Sequence, residues 1–427
     1  MAHPIRVAIS GGGLAGASLI HALIKHPHLD THIFESAAAF KESGAAVGIA
    51  QNALAALDLI GPSAAESLAR AGAVPQLGVR FKLGQGPDQG ALIAEADSKS
   101  EDRRLTSIVH RAAFLRELLA DIPKDRMHAS KKLVTVDQPT KEGPITLHFS
   151  DGSTHECDVL VGADGIHSTV RGLILGEEDT ATNPRNTGFW VVMSLQPYDK
   201  AQGSLGKDVV DSEDAREYMW LGDGHMILHN VLDNGKLVQF VIGSYDHDAE
   251  MSHRWQRGVS ATEMKAFFQS SSGVPHLNKA INELLCEQSE QSAIYLWEHA
   301  PARTYASGPI CVMGDAAHAT TPWQGSGAGM SIEDSLILST LLRRAATPAE
   351  AQIALEVYDR VRRPRTQRIV ESSRGTGIIM TGKGEEGLDL AWLKQNLLPR
   401  WDFILDFDNK KHRDEALEMM ESRLKMA

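Results

Sequence analysis

The sequence predicts an α/β fold in which a β-α-β unit opens the chain, an antiparallel sheet is inserted, and helices follow at the C-terminal end. Three observations lead to this prediction. A glycine-rich turn stands between a short apolar run and a helical segment near the N-terminus. A region of alternating apolar residues and hairpin turns occupies about 182–290, and helical periodicity dominates after residue 342.

The composition is that of an ordinary globular protein. The chain has 427 residues, of which 42% are hydrophobic and 23% charged, and its length suggests two or three domains. The net charge of -12 argues against nucleic acid as a partner. No apolar run approaches the ~18 residues needed to cross a bilayer. We therefore expect a protein without a membrane span, either a monomer or a homodimer.

The cysteines indicate the compartment. Cys157, Cys286 and Cys311 are an odd, widely spaced set without metal-ligand spacing. Residues 1–6 lack the basic and apolar regions of a signal peptide. Unpaired thiols are typical of a reducing compartment, so we expect a cytoplasmic protein with no metal site.

The first motif predicts a nucleotide site. After a short apolar strand, Gly11, Gly13 and Gly16 follow one another in G-x-G-x-x-G spacing, and a helix follows them. Gly11 permits the tight turn, Gly13 lets a pyrophosphate approach the backbone, and Gly16 lets helix and strand pack closely. Glu35 ends the second strand 19 positions after Gly16, where an acid binds a ribose hydroxyl. The unit is therefore of Rossmann type, and the acid favours FAD or NAD over NADP.

A second pattern of strand, acid and glycines lies near residue 315. The apolar run 310–313 ends at Gly314 and Asp315, and Gly325 and Gly327 follow in a loop that enters a helix. Backbone amides at a helix start form an electropositive patch that favours phosphate or developing negative charge. Taken alone, the pattern also fits an ordinary strand-loop-helix connection.

Three further segments predict contacts with the same ligand. Gly48 lies in the small-residue run 44–52, where the backbone can approach a planar or phosphorylated group, although a flexible loop fits equally well. Arg111 opens a helix and is either a pyrophosphate clamp or a surface charge. A buried strand ends before Asp164 and delivers its carboxylate into a loop, where His167 is expected to be a packing residue.

The middle of the chain predicts an antiparallel sheet. Its strands are expected at 187–195, 217–221, 225–232 and 236–245, with a hairpin turn at 233–235 and a covering helix at 278–285. The predicted domains are 1–75, 104–181 and 291–360 for the nucleotide domain, 76–103 and 182–290 for the sheet domain, and 361–427 for a C-terminal helical segment.

The C-terminal part predicts helices at 349–363 and 365–375, separated at Pro364. A basic cluster lies across that point, formed by Arg360, Arg362, Arg363 and Arg365. Such a cluster is expected on a solvated helix face.

Three motifs now stand in a fixed order: the glycine-rich turn with Glu35, the segment 162–165 with Asp164, and Gly314-Asp315 with Pro322. Together they resemble the single-component FAD-dependent aromatic hydroxylases, the group of para-hydroxybenzoate and salicylate hydroxylases. The resemblance covers residues 6–342, and the chain is most similar in appearance to fungal salicylate-hydroxylase-type sequences. It implies a para-hydroxybenzoate hydroxylase-like fold, an FAD-binding domain with an inserted substrate sheet.

The resemblance also implies roles for the matching residues. FAD would be bound by Gly11, Gly13, Ala15, Gly16, Glu35, Gly48, Arg111, Asp164, Gly314, Asp315, Gly325, Gly327 and Ala328. Pro322 would line the flavin ring, and the helix start beside it would stabilise the negative charge of the reduced flavin. His229 is the predicted base or hydrogen-bond partner of the substrate hydroxyl, with a half-buried strand histidine as the alternative.

The implied reaction is a monooxygenation. NADH or NADPH reduces FAD, O2 adds to form a flavin C4a-hydroperoxide, and one oxygen atom passes to a phenolic or heteroaromatic ring. Met193 occupies a place where relatives often carry an arginine. A carboxylated substrate would therefore need another cation, with Arg216 and Arg254 as candidates, or else the substrate is uncharged.

Other functions share the same cofactor domain. A flavin oxidoreductase without oxygen insertion and a non-catalytic FAD-binding protein both stay open on the motifs alone. A flavin-dependent halogenase is disfavoured because the sequence lacks a Trp-x-Trp-x-Ile-Pro segment.

Overall fold

The structure is a computed structural model. It describes residues 3–41, 46–97, 104–137, 143–214, 216–232, 235–269, 279 and 281–426. Three predicted features lie partly outside these residues: the small-residue segment at 44–52, the hairpin turn at 233–235 and the covering helix at 278–285.

The strands alternate with helices in the first part of the chain and follow one another in the middle. In chain order they are β1 (Ile5–Ser10), β2 (Leu29–Phe34), β3 (Ala46–Ile49), β4 (Val74–Pro75), β5 (Gly78–Leu83), β6 (Leu92–Asp97), β7 (Ser107–His110), β8 (Met127–His128), β9 (Leu133–Asp137), β10 (Ile145–Phe149), β11 (Thr154–Cys157), β12 (Val159–Gly162), β13 (Arg185–Pro197), β14 (Glu217–Leu221), β15 (His225–Leu232), β16 (Leu237–Tyr245), β17 (Gln256–Ser260), β18 (Glu290–Glu298), β19 (Ala306–Ser307) and β20 (Ile310–Val312).

The helices include one that is much longer than the others. In chain order they are α1 (Leu14–Leu23), α2 (Gln51–Ile60), α3 (Pro62–Arg70), α4 (Arg111–Leu119), α5 (Thr169–Leu175), α6 (Tyr198–Leu205), α7 (Ala261–Gln269), α8 (Asp315–His318), α9 (Gly327–Leu342), α10 (Pro348–Met380), α11 (Leu390–Asn396), α12 (Asp402–Leu405) and α13 (Asn409–Leu424). Short 3-10 turns lie at 124–126, 247–249, 322–324 and 398–401, and a π-helical turn lies at 281–285.

The cofactor domain is built on a six-stranded sheet with the order β19-β20-β12-β1-β2-β8. Its inner strands are parallel, and the register places Ser10 beside Gly162 and Gly162 beside Val312. The carboxyl ends of β1, β12 and β20 therefore meet at one edge of the sheet. In open α/β sheets this is the edge where ligands bind. A three-stranded sheet, β11-β10-β9, continues from it, as the alternating residues 133–149 predict.

The second large sheet has eight strands in the order β17-β18-β13-β16-β15-β14-β5-β6. The hairpin β5–β6 lies at one end of this sheet, beside β14, which follows more than a hundred residues later in the chain. Residues 78–97 therefore leave the cofactor domain and become part of the second sheet. Together the two sheets confirm the predicted fold class, a Rossmann-type domain with an inserted sheet that is antiparallel except where β5 pairs in parallel with β14.

The two faces of the eight-stranded sheet have different neighbours. One face, the Trp323 face, carries Phe81, Phe189, Met219, Leu221 and Met226, which pack with Trp323 of the 322–324 turn. The opposite face, the Trp220 face, carries Trp190, Val192, Trp220, Ile227 and Phe240, which pack with residues of α6 and α7. The Trp323 face is therefore the one turned toward the cofactor loops.

Two predicted boundaries differ from the structure. β18 (Glu290–Glu298) belongs to the eight-stranded sheet, so the chain leaves that sheet after residue 298 and not at 291. The helix α10 runs unbroken through the predicted boundary at 360–361 and contains Pro364 in its interior. Within the described ranges, no helix is both long and apolar enough to pass through a lipid bilayer.

Candidate active site

The three motifs lie in direct contact at the carboxyl edge of the six-stranded sheet. Gly11 has a φ of +113°, and a Cβ there would lie 2.1 Å from the carbonyl oxygen of Ala163. Gly314 has a φ of +58°, and a Cβ there would lie 2.7 Å from the Cβ of Ala15. Only glycine meets both requirements at these two points. The close backbone approach brings together loops that the sequence separates by about 150 residues each.

Glu35 lies beside the glycine-rich turn. Its carboxylate accepts a hydrogen bond from the backbone N–H of Gly12 at 2.7 Å and one from Ala37 at 2.7 Å. Gly16 packs so closely that a Cβ there would lie 2.0 Å from the carbonyl oxygen of Gly11. The acid is thus held at the turn, with lone pairs left for ribose hydroxyls.

Two helix starts at this edge have backbone amides that no side chain caps. Gly13 precedes α1 and Ser326 precedes α9, and neither makes a side-chain capping hydrogen bond. The carboxylate of Asp315 is exposed, and it makes no hydrogen bond or ion pair with any described residue. Free amides and a free carboxylate at one edge suit a phosphorylated, hydroxyl-bearing group, so the site fits FAD.

Asp164 stabilises the loop in which it lies. Its carboxylate accepts hydrogen bonds from Ser168 Oγ and from the backbone N–H groups of Thr169 and Val170, which orders the start of α5. Burial raises the pKa of this carboxyl. The loop it shapes borders Gly11, so Asp164 acts on the cofactor site by holding the loop in place.

Arg171 connects the second motif to the third. It is fully buried and donates hydrogen bonds to the carbonyl oxygens of Ala181, Ala316 and Ala317. Burial lowers the pKa of its guanidinium to about 10. The side chain therefore fixes α8, and with it Asp315, relative to the loop that contains Asp164.

A buried ionic network supports α9, which begins in the loop 322–328 that is expected to line the flavin ring and is called the flavin loop below. Glu333 and Asp334 of α9 are paired with Arg362 and Arg365 of α10, and Asp334 also bonds to His318 at 2.6 Å. Burial favours the neutral acid, but the charges of Arg365 and Arg362 outweigh it and lower the pKa of Glu333 to about 2. The prediction that this basic cluster lies on a solvated face is wrong for Arg362 and Arg365, because both face α9.

Pro322 opens the turn that reaches the eight-stranded sheet. Trp323 follows it, and its ring lies 5.0 Å from the ring of Phe189. A Cβ at Gly243 would lie 3.1 Å from Trp323, so the missing side chain leaves room for the indole. The turn 322–324 therefore lies between the start of α9 and the Trp323 face.

Gly48 and Arg111 lie on a smaller sheet with the order β3-β7-β4. Gly48 is opposite Ile108, and a Cβ there would lie 3.3 Å from Thr106. Arg111 follows β7 as the exposed first residue of α4. Since β3 packs against α9, this sheet approaches the same helix start as Gly325, Gly327 and Ala328.

His229 does not lie where the sequence placed it. Its ring is buried on the Trp220 face, where it accepts a hydrogen bond from Trp220 Nε1 at 3.1 Å and stacks on Tyr218. Burial lowers its pKa to about 3. The residue points away from the flavin loop, so the structure does not support His229 as the base. His225, the other histidine of β15, is likewise buried, at the turn beside Gly222.

Three apolar side chains farther along the Trp323 face are exposed. Met193 is 53% exposed, Leu195 58% and Ile294 39%, and all three lie on the Trp323 face. Neither cation proposed to replace an arginine at Met193 reaches this surface. Arg216 is buried in ion pairs with Glu95 and Asp214, and Arg254 lies near Asp246 at the other edge of the sheet. The surface is thus an open apolar floor.

Comparisons with known proteins agree with this geometry. Residues 4–373 match the family described as FAD binding domain. A 6-methylsalicylate 1-monooxygenase of Aspergillus terreus is 38% identical over 87% of this chain and 82% of its own length. An FAD-dependent monooxygenase of Phaeosphaeria nodorum is 31% identical over 98% of this chain and 86% of its own length.

Solved structures share the whole architecture. A salicylate hydroxylase in complex with its substrate has a TM-score of 0.82 at 26% identity, over 97% of this chain and 98% of that chain. Klebsiella pneumoniae HpxO, complexed with FAD and uric acid, has a TM-score of 0.72 at 20% identity, over 98% of this chain and 97% of that chain, and shares the fold. The chain belongs to the FAD-binding-domain family and is an FAD-dependent monooxygenase that uses NAD(P)H as electron donor.

Proposed function

We propose that this enzyme hydroxylates a phenolic ring that lies between the flavin and the Trp323 face of the eight-stranded sheet. Bound FAD supplies the redox chemistry, since it accepts hydride from NAD(P)H and activates O2 for transfer of one oxygen atom. The protein supplies position, exclusion of water and charge stabilisation. Pro322 and the uncapped amides at the start of α9 are the groups proposed to lie against the flavin ring.

The observation that carries the proposal is the chemistry of the Trp323 face beside the flavin loop. Neighbouring positions of this face, on three adjacent strands, are Val191, Met193, Met226, Leu228, Val241 and Gly243, and Met226 and Gly243 lie against Trp323. A flat apolar floor suits an aromatic ring, whose binding it favours by burying apolar surface. None of these positions carries a cation, so the floor favours a ring without a carboxylate at the sheet.

A carboxylated phenol is the second candidate. It is favoured by the 38% identity to a 6-methylsalicylate 1-monooxygenase. Such a substrate would need its carboxylate paired outside the floor, because neither Arg216 nor Arg254 faces it. Its carboxylate would then be directed toward the flavin and away from the sheet.

The experiment that tests the proposal is a substrate panel with the FAD-loaded enzyme. 3-Methylphenol, salicylate and 6-methylsalicylate are each tested for stimulation of NADH and NADPH oxidation, and products are identified by mass. We expect a product one oxygen atom heavier from the uncharged phenol. Stimulated oxidation that yields only hydrogen peroxide with every compound would contradict oxygen insertion. A product formed by exchange of the carboxyl for a hydroxyl, from the acids alone, would favour the second candidate.

We also propose that the enzyme works in the cytoplasm, as a monomer or homodimer. The three cysteines are free thiols, and Cys157 and Cys311 are buried in the cofactor domain. Burial raises the pKa of Cys157 to about 12, which keeps this thiol unreactive. This arrangement is typical of a protein from a reducing compartment.

A further inference from the structure

A row of polar side chains crosses the Trp323 face next to its apolar floor. Asn230 pairs with Gln239 across β15 and β16. Glu217 precedes Tyr218, which pairs with His229, so Glu217 lies level with Asn230. Alternation along β14 places Glu217 on the same face as Met219 and Leu221, which pack with Trp323. The three polar groups thus lie in one row across the Trp323 face, two residues beyond Leu228 and Val241.

The side-chain amide oxygen of Asn230 has no hydrogen-bond partner among the described residues. The residue is 9% exposed, and its Oδ1 atom is buried with no hydrogen bond. A buried amide oxygen that bonds to nothing costs free energy, so such atoms in proteins are normally satisfied by water or a ligand. The row therefore has hydrogen-bonding capacity that the folded chain leaves unused.

Glu217 is a half-buried carboxyl on the Trp323 face. Protein surrounds its carboxyl deeply enough to raise its pKa to about 7, yet the residue is still partly accessible to solvent. The carboxyl bonds to the side chain of Gln76, and no ion pair with a described cation holds it. A carboxyl in this state can accept a proton from a bound molecule.

The Glu217 end of the row is connected to the cofactor side. Gln76 donates its backbone N–H to the carbonyl oxygen of Thr106 at 2.8 Å. Thr106 in turn lies against Gly48, where a Cβ would be 3.3 Å from its methyl group. Glu217 is therefore connected, through Gln76 and Thr106, to the small sheet that is expected to contact the flavin.

We propose that Glu217 is the base that takes the hydroxyl proton of the phenolic substrate, and that Asn230 donates a hydrogen bond to the same oxygen from its Nδ2, with the amide turned so that Nδ2 takes the place of the unpaired Oδ1. This proposal rests on the phenol hydroxylation proposed for the enzyme. The O–H bond of the phenol breaks, a carboxyl O–H bond forms on Glu217, and no electrons are exchanged with another group. The resulting phenolate is a more electron-rich ring and a better acceptor of the oxygen atom. Asn230 is a binding residue in this scheme, since its amide cannot take up a proton.

The proton affinity of Glu217 suits this task. A general base is most effective when its pKa is near the working pH, and burial can raise a glutamate into that range. With a pKa of about 7, Glu217 is ionised above neutrality and protonated below it. Hydroxylation should therefore decline as the pH falls through about 7, because the proton acceptor is then lost.

The test is Glu217→Gln in the FAD-loaded enzyme, with 3-methylphenol as the probe and 3-methylanisole as the probe without a hydroxyl proton. We expect kcat/KM for hydroxylation of 3-methylphenol to fall by about 100-fold or more, and the decline near pH 7 to disappear. FAD content and the rate of flavin reduction should not change. The matched control is Glu213→Gln, an exposed carboxyl on the segment that leads into β14, which should behave as wild type.

A second pair of variants keeps the proposal testable if Glu217→Gln loses FAD. Glu217→Asp retains a carboxyl and should keep a pH-dependent decline, at a lower rate. Asn230→Ala should raise KM for 3-methylphenol by about tenfold, the effect of one lost hydrogen bond, with little change for 3-methylanisole. If the rate of hydroxylation by Glu217→Asp did not depend on pH, Glu217 would not be the base.

The outcomes also separate this proposal from the proposed function. If the wild-type enzyme hydroxylates 3-methylphenol and Glu217→Gln has the same kcat/KM and pH profile, only the assignment of Glu217 as the base is wrong. Wild-type enzyme that hydroxylates no phenol of the panel would overturn both proposals.

Discussion

Asp315 is an exposed side chain at the start of α8, followed by buried residues and lacking a polar partner in the described part of the chain. We therefore expect its carboxylate to bind FAD. Asp315→Ala should weaken FAD binding by about 10- to 100-fold, because a hydrogen bond to a charged group contributes about 1.5–3 kcal/mol. The flavin absorbance per protein after gel filtration measures this loss. Asp121→Ala, an exposed acid at the end of α4, is the control, and equal flavin content in both variants would contradict the assignment.

His229 illustrates a limit of reading single residues from sequence. The alternation of β15 predicts a strand and two faces, but it does not say which face meets the cofactor. That choice depends on partners far away in the chain, because Trp220, Phe240 and Tyr218 enclose His229 while Met226 and Leu228 face the flavin loop. The same alternation places Asn230 and Glu217 on the cofactor side once the register is known.

His229→Gln should consequently lower stability and leave chemistry unchanged. Glutamine can still accept the Trp220 hydrogen bond, but it cannot stack as the imidazole does, so we expect a loss of about 1–2 kcal/mol in the free energy of unfolding. Turnover per bound FAD should equal that of the wild type. The measurements are urea unfolding and product formation normalised to flavin. A large drop in normalised turnover with unchanged stability would restore His229 as a site residue.

At the level of elements, α9 and α10 hold the flavin loop through their buried charges. Glu333 and Asp334 have no exposure, and Arg362 is equally enclosed. Arg362→Met leaves both carboxylates short of a cation in the protein interior, which costs about 3–5 kcal/mol. We expect a variant that unfolds at lower urea concentration and retains less FAD. Arg360→Met, on the exposed side of the same helix, is the control, and equal loss in the two variants would show that the buried pairs are unimportant.

The same network explains why the predicted helix break at Pro364 is absent. A proline inside a helix removes one hydrogen bond and costs about 3 kcal/mol, so a break is the reasonable prediction from sequence. Arg362 and Arg365 stand on either side of Pro364 and are both anchored to α9, and their ion pairs keep the chain helical through that point. Tertiary contacts of this kind cannot be read from periodicity.

The elements that the sequence does predict are those determined locally. The glycine-rich turn, Glu35 at the end of β2 and the hairpin region all follow from residues close together in the chain, and the structure contains each of them. β18 was assigned in part to the wrong domain because its alternation fits either sheet. Its pairing with β13 and β17 settles its place, and those partners lie 30 to 110 residues away.

At the scale of the whole molecule, buried neutral histidines predict how stability depends on pH. Burial lowers the pKa of five of them to about 3 or 4, namely His155, His225, His229, His299 and His412. In the unfolded chain a histidine titrates near its ordinary pKa of about 6.5. Below that pH these histidines bind protons in the unfolded state but stay neutral in the folded state. Stability should therefore fall as the pH drops from about 6.5 toward 4.

This pH dependence can be measured by urea unfolding between pH 7.5 and 5, with FAD at a fixed excess so that cofactor binding does not vary. Each histidine protonated only in the unfolded state contributes a slope of about 1.4 kcal/mol per pH unit. Glu333 also makes stability fall as the pH drops, but only at lower pH. Its pKa is about 2 in the folded state and 4.5 ordinarily, so this loss of stability begins below about pH 4.5. Between pH 7 and 5 Glu217 opposes the histidines, because with its pKa raised to about 7 the folded state binds a proton there that the unfolded chain does not, and the net slope is smaller by about one proton. His229→Gln should reduce the dependence of stability on pH between 7.5 and 5 by about one proton. An unfolding midpoint that stays constant over this range would contradict burial of these rings in their neutral form.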